Sequence, residues 1–188
     1  KKLRWFELIP VVSYVMLRGR CHSCGSGISL QYPVVEAASG GLFLALYLFG
    51  PPVGWALGAA AAFFSLLLAL SVYDFRHQIL PDSLVSAAGL AAFLYVVFSS
   101  DITAVLWNAL SGAVLFLFFG GLCFFSRGRW MGFGDAKLAF VVGLFLGWPL
   151  SVVAFFLSFW LGAAVGVGWV LWQRRRSLRI PIPFGPFL

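Results

Sequence analysis

Long apolar segments, separated by short polar or glycine- and proline-containing turns, dominate the chain. Several of them approach or exceed the roughly 18 residues that read as a helix crossing a bilayer. The pattern predicts six spans, at residues 34–49, 53–72, 83–98, 103–125, 138–146 and 151–172. The fifth is short for a span unless its helix starts nearer Asp135. We therefore predict an all-α membrane protein, a polytopic transmembrane helical bundle.

The same pattern divides the chain into three regions. Residues 1–33 form a small N-terminal cytoplasmic loop region with a C-x-x-C pair, residues 34–172 form the membrane bundle, and residues 173–188 form a basic cytoplasmic loop. The chain starts at Lys1 without an initiator Met, so we expect it to be an excised piece. The missing segments are expected to include one span at each end, the C-terminal one following the basic loop.

Composition excludes a soluble domain. The 188 residues are 62% hydrophobic and 10% charged, whereas soluble domains are nearer half apolar and a quarter charged. The net charge of +7 would suit nucleic acid, but no soluble basic domain is predicted to bind it. We predict membrane lipid as a partner instead, and no nucleic acid.

Every basic residue falls in alternate segments between the predicted spans. The 13 are Lys1, Lys2, Arg4, Arg18 and Arg20 before the first span, Arg76 between the second and third, Arg127, Arg129 and Lys137 between the fourth and fifth, and Arg174, Arg175, Arg176 and Arg179 after the sixth. The positive-inside rule makes these segments cytoplasmic. The charge is then a topology signal, attracted to anionic lipid.

Two aspartates are the first candidates for chemistry. Asp74 follows the second span and Asp135 precedes the fifth, so both fall at the same depth on the basic side. Ionisable groups near the hydrocarbon are functional candidates by default, although each could instead cap or pair at a helix end. The glycines around Phe133 leave the backbone before Asp135 bare, so another chain could approach it closely. Asp82 is interpreted as an N-cap.

Several segments resemble one family. Residues 131–138 (MGFGDAKL) resemble the G-x-G-D signature of intramembrane aspartyl proteases, in the form carried by bacterial prepilin peptidases, and residues 74–82 (DFRHQILPD) resemble that family's first aspartate motif. Residues 9–25 and 32–36 are similar to its cytoplasmic loop, and residues 183–188 (PFGPFL) to the entry to its last span. The resemblance covers essentially the whole chain, and five features in order make it specific.

The resemblance implies an activity. Asp74 and Asp135 would be the catalytic carboxylates, in roles that the sequence does not assign, and Gly132, Phe133 and Gly134 the place where substrate approaches. The substrates would be type IV prepilins or type II secretion pseudopilins, cut after a Gly on the cytoplasmic face of the bacterial inner membrane. Peptidase activity would need no cofactor. Many members also N-methylate the new N-terminus with S-adenosylmethionine, which is expected here by analogy alone.

The cysteines suggest a partial metal site. Cys21 and Cys24 form half of a zinc knuckle, and a structural zinc needs four ligands. Many prepilin peptidases carry a second pair, which this chain lacks. Zinc ligation in the intact protein, an unmetallated remnant and ligation together with His22 all remain open. Cys123 lies within a span and is interpreted as a packing residue.

Two other classes of protein could carry the same carboxylates. A proton- or ion-coupled transporter would place them near the midplane in broken helices, whereas here they lie at cytoplasmic helix ends. A non-catalytic assembly subunit would leave both aspartate motifs unexplained. The oligomeric state is not readable from the sequence.

Overall fold

The protein is built from helices joined by short turns. A computed structural model describes residues 4–52, 54–129, 131–172 and 185. After a 3-10 turn at Trp5–Leu8, the helices are α1 (Val12–Met16), α2 (Gln31–Phe49), α3 (Trp55–His77), α4 (Asp82–Ser99), α5 (Ile102–Phe125), α6 (Phe133–Leu146) and α7 (Leu150–Trp172). Among these residues no strand occurs, and a single bridge joins Arg20 to Gly27. The prediction of an all-α bundle is confirmed.

Five of the described helices are long and apolar enough to cross a membrane: α2, α3, α4, α5 and α7. They correspond to five of the six predicted spans. The other predicted span, at 138–146, corresponds to α6, which starts earlier, at Phe133, but has only 14 residues. At about 1.5 Å per residue such a helix is shorter than the roughly 30 Å of hydrocarbon. Helix α6 therefore does not have the length of a span.

The chain forms two compact units, residues 1–50 and 51–188. Helix α2 thus belongs to the first unit, so the division falls at Gly50, whereas the regions drawn from the sequence divide after residue 33. In the first unit, the Val11 N–H donates to Glu36 Oε2 at 2.7 Å, which ties the turn before α1 to helix α2. The predicted basic region at 173–188 lies outside the described residues, apart from Gly185.

Helix α6 lies at the centre of the second unit. Eight of its 14 residues are buried, which suits a helix that is apolar on all sides. It packs on α5 where Gly143 faces Gly112, and a Cβ built on Gly143 would come within 2.7 Å of the Gly112 Cα. At its other end, the Phe145 ring stacks on Phe63 of α3 and Tyr95 of α4, with centroids 4.0 and 4.4 Å apart. Helix α6 is held by its neighbours along its whole length.

The start of α4 differs from the sequence prediction. Asp82 is the first helical residue rather than the N-cap; Pro81 occupies the cap position and no side chain caps the helix. Proline disfavours helical backbone at the residue before it, so α4 begins directly after the break. The carboxylate of Asp82 is left to contact another helix.

Candidate active site at one end of the bundle

Asp74 lies in the last turn of α3. The helix ends at Gln78, whose left-handed backbone (φ 52°) lets its N–H donate to the Asp74 carbonyl oxygen at 2.8 Å. The Asp74 side chain is only 5% exposed, so its carboxylate faces the interior of the unit. Asp74 is therefore part of the helix, not of the loop that follows it.

Asp135 lies in the first turn of α6. Gly132 is extended (φ −75°, ψ 151°) just before the helix, and its N–H donates to Asp135 Oδ2 at 3.2 Å. This contact satisfies one of the backbone donors that a helix N-terminus leaves free. The carboxylate is thereby oriented by the glycine three residues before it.

Gly134 permits a close approach between the two aspartate motifs. A Cβ built on Gly134 would lie 3.1 Å from the Leu80 Cβ, so any larger residue would press on the segment that follows α3. Within the protein itself, Leu80 makes this close approach to the glycine-flanked turn. Phe133, in contrast, is 52% exposed.

The two carboxylates lie close enough for their charges to interact. Burial and, after it, the charge of Asp74 raise the pKa of Asp135 to about 6. Two like charges in one site cannot both ionise cheaply, so such a pair tends to hold one shared proton. The structure thus brings together the two residues that the sequence selected, 61 positions apart.

A third residue at this site was not selected from the sequence. The backbone N–H of Gly185 donates to Asp74 Oδ2 at 3.1 Å in a buried contact. Gly185 lies in the P-F-G-P-F-L segment, which was interpreted only as the entry to a further span. The sequence does contain one indication of this contact. Prolines on either side of Phe184-Gly185 disfavour a regular helix, and irregular backbone has N–H groups that are free to bind a side chain.

Lys137 contacts a different helix from Asp135. Its Nζ lies 2.7 Å from Asp82 Oδ1 and 5.2 Å from the centroid of the Phe133 ring. Side chains two positions apart on a helix point to nearly opposite sides. The lysine therefore links the starts of α4 and α6 instead of pairing with the catalytic candidates.

Cys21 and Cys24 lie on one turn of the first unit, closed by the Gly25 N–H donating to the Cys21 carbonyl oxygen at 2.9 Å. Both thiols are free. The Ser26 hydroxyl, 3.0 Å from the Cys24 sulfur, lowers the pKa of that thiol. Within the described ranges no three His, Cys, Asp or Glu side chains group as metal ligands. The pair supplies two of the four donors that a structural zinc needs.

Two family models match the chain. The model described as the type IV leader peptidase family matches residues 61–167, which contain both aspartates. The model described as the bacterial peptidase A24 N-terminal domain matches residues 1–49. The N-terminal stretch nearly coincides with the first compact unit, and the other stretch lies within the second.

Curated relatives resemble the chain over its whole length. It is 41% identical to a protein of Burkholderia pseudomallei, matching 99% of this chain and 60% of the relative. It is 37% identical to a protein of Stutzerimonas stutzeri and 38% identical to one of Pseudomonas aeruginosa, in each case matching 100% of this chain and 65% of the relative. All three are named prepilin leader peptidase/N-methyltransferase. The chain thus spans about 60% of the length of the first of these relatives. No solved structure matches it.

Proposed function

The chain belongs to the type IV leader peptidase family, and on that premise we propose that it carries the catalytic part of a membrane-embedded aspartyl endopeptidase. Its substrates are type IV prepilins or the related pseudopilins of type II secretion. The observation that supports this most directly is the meeting of Asp74 and Asp135 at one end of the bundle, where the charge of one acts on the other. A pair of interacting carboxylates is the chemical requirement of this reaction class.

The proposed reaction uses the pair as base and acid. The ionised carboxylate takes a proton from water while the water oxygen attacks the scissile carbonyl carbon, and the protonated carboxyl gives its proton to the carbonyl oxygen. As the resulting tetrahedral intermediate collapses, the second carboxylate takes a hydroxyl proton back. The first protonates the leaving nitrogen, so both groups return to their starting states. Neither step needs a metal.

Substrate is proposed to reach the pair beside Gly132 and Phe133. Both residues are exposed, and Gly132 has no side chain to block an extended peptide. Gly134, included in the predicted approach site, lies against Leu80 and is better suited to packing. The scissile bond follows a Gly, and the apolar helix of the substrate lies in the membrane.

The active site is proposed to face the cytoplasm from the bacterial inner membrane. This orientation is supported by the basic residues up to Lys137, which fall in alternate segments whether or not α6 is counted as a span. Those residues are also proposed to contact anionic lipid.

N-methylation of the new N-terminus is proposed from the relatives' names. S-adenosylmethionine would supply the methyl group. The groove of about 520 Å³ between α4, α5 and α6 has Asp82, Ser86 and Lys137 among otherwise apolar lining residues. These groups are too few for the donor's ribose, adenine and amino acid moieties, so this groove does not fit it. Transfer of a labelled methyl group to cleaved prepilin tests the activity.

Cys21 and Cys24 are proposed to bind a structural zinc together with two further donors. In a reducing cytoplasm a disulfide is the less stable state of such a pair. Metal content should fall in the intact protein on Cys21→Ser substitution, whereas an unchanged zinc content would exclude this ligand.

The peptidase proposal is tested by removing each carboxyl charge. Membranes containing the full-length protein are incubated with a prepilin that carries a Gly-Phe junction. Asp74→Asn and Asp135→Asn preserve side-chain shape and should each lower the cleavage rate by at least about 10³-fold, because base or acid is lost. Asp101→Asn, an exposed aspartate at the start of α5, is the matched control and should cleave normally. Release of the leader at the normal rate by both site variants would contradict the proposal.

A further inference from the structure

The contact between Gly185 and Asp74 distinguishes the two carboxylates. We propose that Gly185 is a positioning residue whose backbone N–H holds Asp74 as the ionised member of the pair. Asp74 then takes the proton from water, and Asp135 protonates the scissile carbonyl. This assignment rests on the proposed function and deepens it, because it gives each carboxyl one role.

Gly185 forms a hydrogen bond with the Asp74 carboxylate and lies too close to it for any side chain to fit between them. The Gly185 N–H lies 3.1 Å from Asp74 Oδ2 and is buried with it. A Cβ built on Gly185 would lie 2.7 Å from the same oxygen, which is closer than real Cβ atoms approach. Only glycine therefore lets the backbone reach the carboxylate without displacing it.

The N–H contacts of the two aspartates differ in their surroundings. A backbone N–H can only donate, so it stabilises an acceptor-only anion more than a neutral carboxyl. At Asp74 this donor is buried, where little water competes and the interaction is stronger. At Asp135 the donor is Gly132 on an exposed turn. When the pair carries one negative charge, that charge therefore lies on Asp74, whose donor is buried.

Charged groups lie on the helices that carry the two aspartates and on α4, which packs against them. Asp135 of α6 interacts electrostatically with Asp74 and opposes a second negative charge. Lys137 of α6 is paired with Asp82 of α4, and the last turn of α3 carries Arg76 and His77. None of these groups is altered by a change confined to the backbone of residue 185.

The cleanest test replaces the amide of residue 185 by an ester. Incorporating glycolic acid in place of glycine in the full-length protein removes the N–H and adds no side chain. We expect kcat to fall and KM to stay within about twofold. The acidic limb of the kcat profile should move to higher pH by about one to two units, because the base loses a charge-assisted hydrogen bond.

A second variant tests the same contact sterically. Gly185→Ala keeps the N–H but places a methyl group against Asp74 Oδ2, and we expect kcat to fall about 10- to 100-fold from the displaced carboxylate. Gly58→Ala in α3 is the matched control, since a Cβ there meets nothing within 4 Å. The control should cleave at the normal rate.

Two outcomes would overturn the assignment. A shift of the alkaline limb alone in the ester variant would make Asp74 the protonated member, and an unchanged profile would show that the N–H does not set its charge. Failure of the peptidase proposal is separate, because it would show as no leader release by the unaltered protein.

Discussion

At the scale of single residues, Asp74 and Asp135 have the same side chain in different surroundings. Asp74 is buried at the end of a helix and receives a donor from a distant segment. Asp135 stands at the start of a helix and receives one from its own turn. Sequence patterns selected both residues but could not separate their roles, because the separation depends on Gly185, 111 positions from Asp74.

The pH dependence of cleavage follows from the pKa of Asp135, raised to about 6 by burial and by Asp74. If Asp135 is the acid, it must be protonated, so kcat/KM should fall as the pH rises above about 6. The measurement is the cleavage rate of one prepilin from pH 4 to 9.

The opposite pH dependence of kcat/KM would identify Asp135 as the base. An Asp135 that served as base would need to be ionised, and kcat/KM would then rise through pH 6 instead. The Asp101→Asn protein, measured in parallel, shows whether an aspartate outside the site contributes to the profile.

At the scale of elements, the position of the Asp135 carboxylate depends on how α6 is held. The sequence predicted a helix after the glycine-rich turn but started it at residue 138. The structure starts it at Phe133, because Gly132 takes an extended conformation that begins a helix. The length of the apolar run did not reveal this first turn, because the turn contains glycine, aspartate and lysine, which interrupt such a run.

The contact between α5 and α6 should be intolerant of any side chain at Gly143. In Gly143→Ala the added Cβ would meet the Gly112 Cα at 2.7 Å, and separating the two backbones should cost about 1–3 kcal/mol. Thermal unfolding of the purified protein in detergent measures this loss.

The matched control is Gly120→Ala on α5, where a Cβ meets nothing within 4 Å. It should unfold at or slightly above the normal temperature, because alanine favours a helix. Equal melting temperatures for the two variants would mean that the close approach of α5 and α6 does not contribute to stability.

At the scale of the whole molecule, charge and hydropathy describe how the chain lies in a membrane. Five helices have the length and composition of spans. Counted by these five, the basic residues up to Lys137 occupy alternate segments. The four arginines after α7 join the same side only when α6 is counted as a sixth crossing. In the second unit, the ends of α3 and α6 that carry the aspartates meet at one end of the bundle. This agrees with the topology that the charges predict for them.

Sidedness can be measured with single cysteines in a protein whose three native cysteines are replaced by serine. Arg129→Cys, after α5, should react with a membrane-impermeant maleimide in inverted inner-membrane vesicles and not in spheroplasts. Ser100→Cys, between α4 and α5, is the paired control and should show the reverse pattern. Labelling of residue 129 in spheroplasts would place the aspartate end of the bundle outside the cytoplasm.

The sequence by itself determined the class of protein, the approximate spans and the two acidic residues, because these follow from apolar run length and from scarce charges in an apolar chain. The tertiary structure decided which groups touch those residues. It placed Leu80 against Gly134, Lys137 on Asp82 and the Gly185 N–H on Asp74. Each of these contacts joins segments more than 50 positions apart, and local patterns carry no information about such pairs until the helices pack.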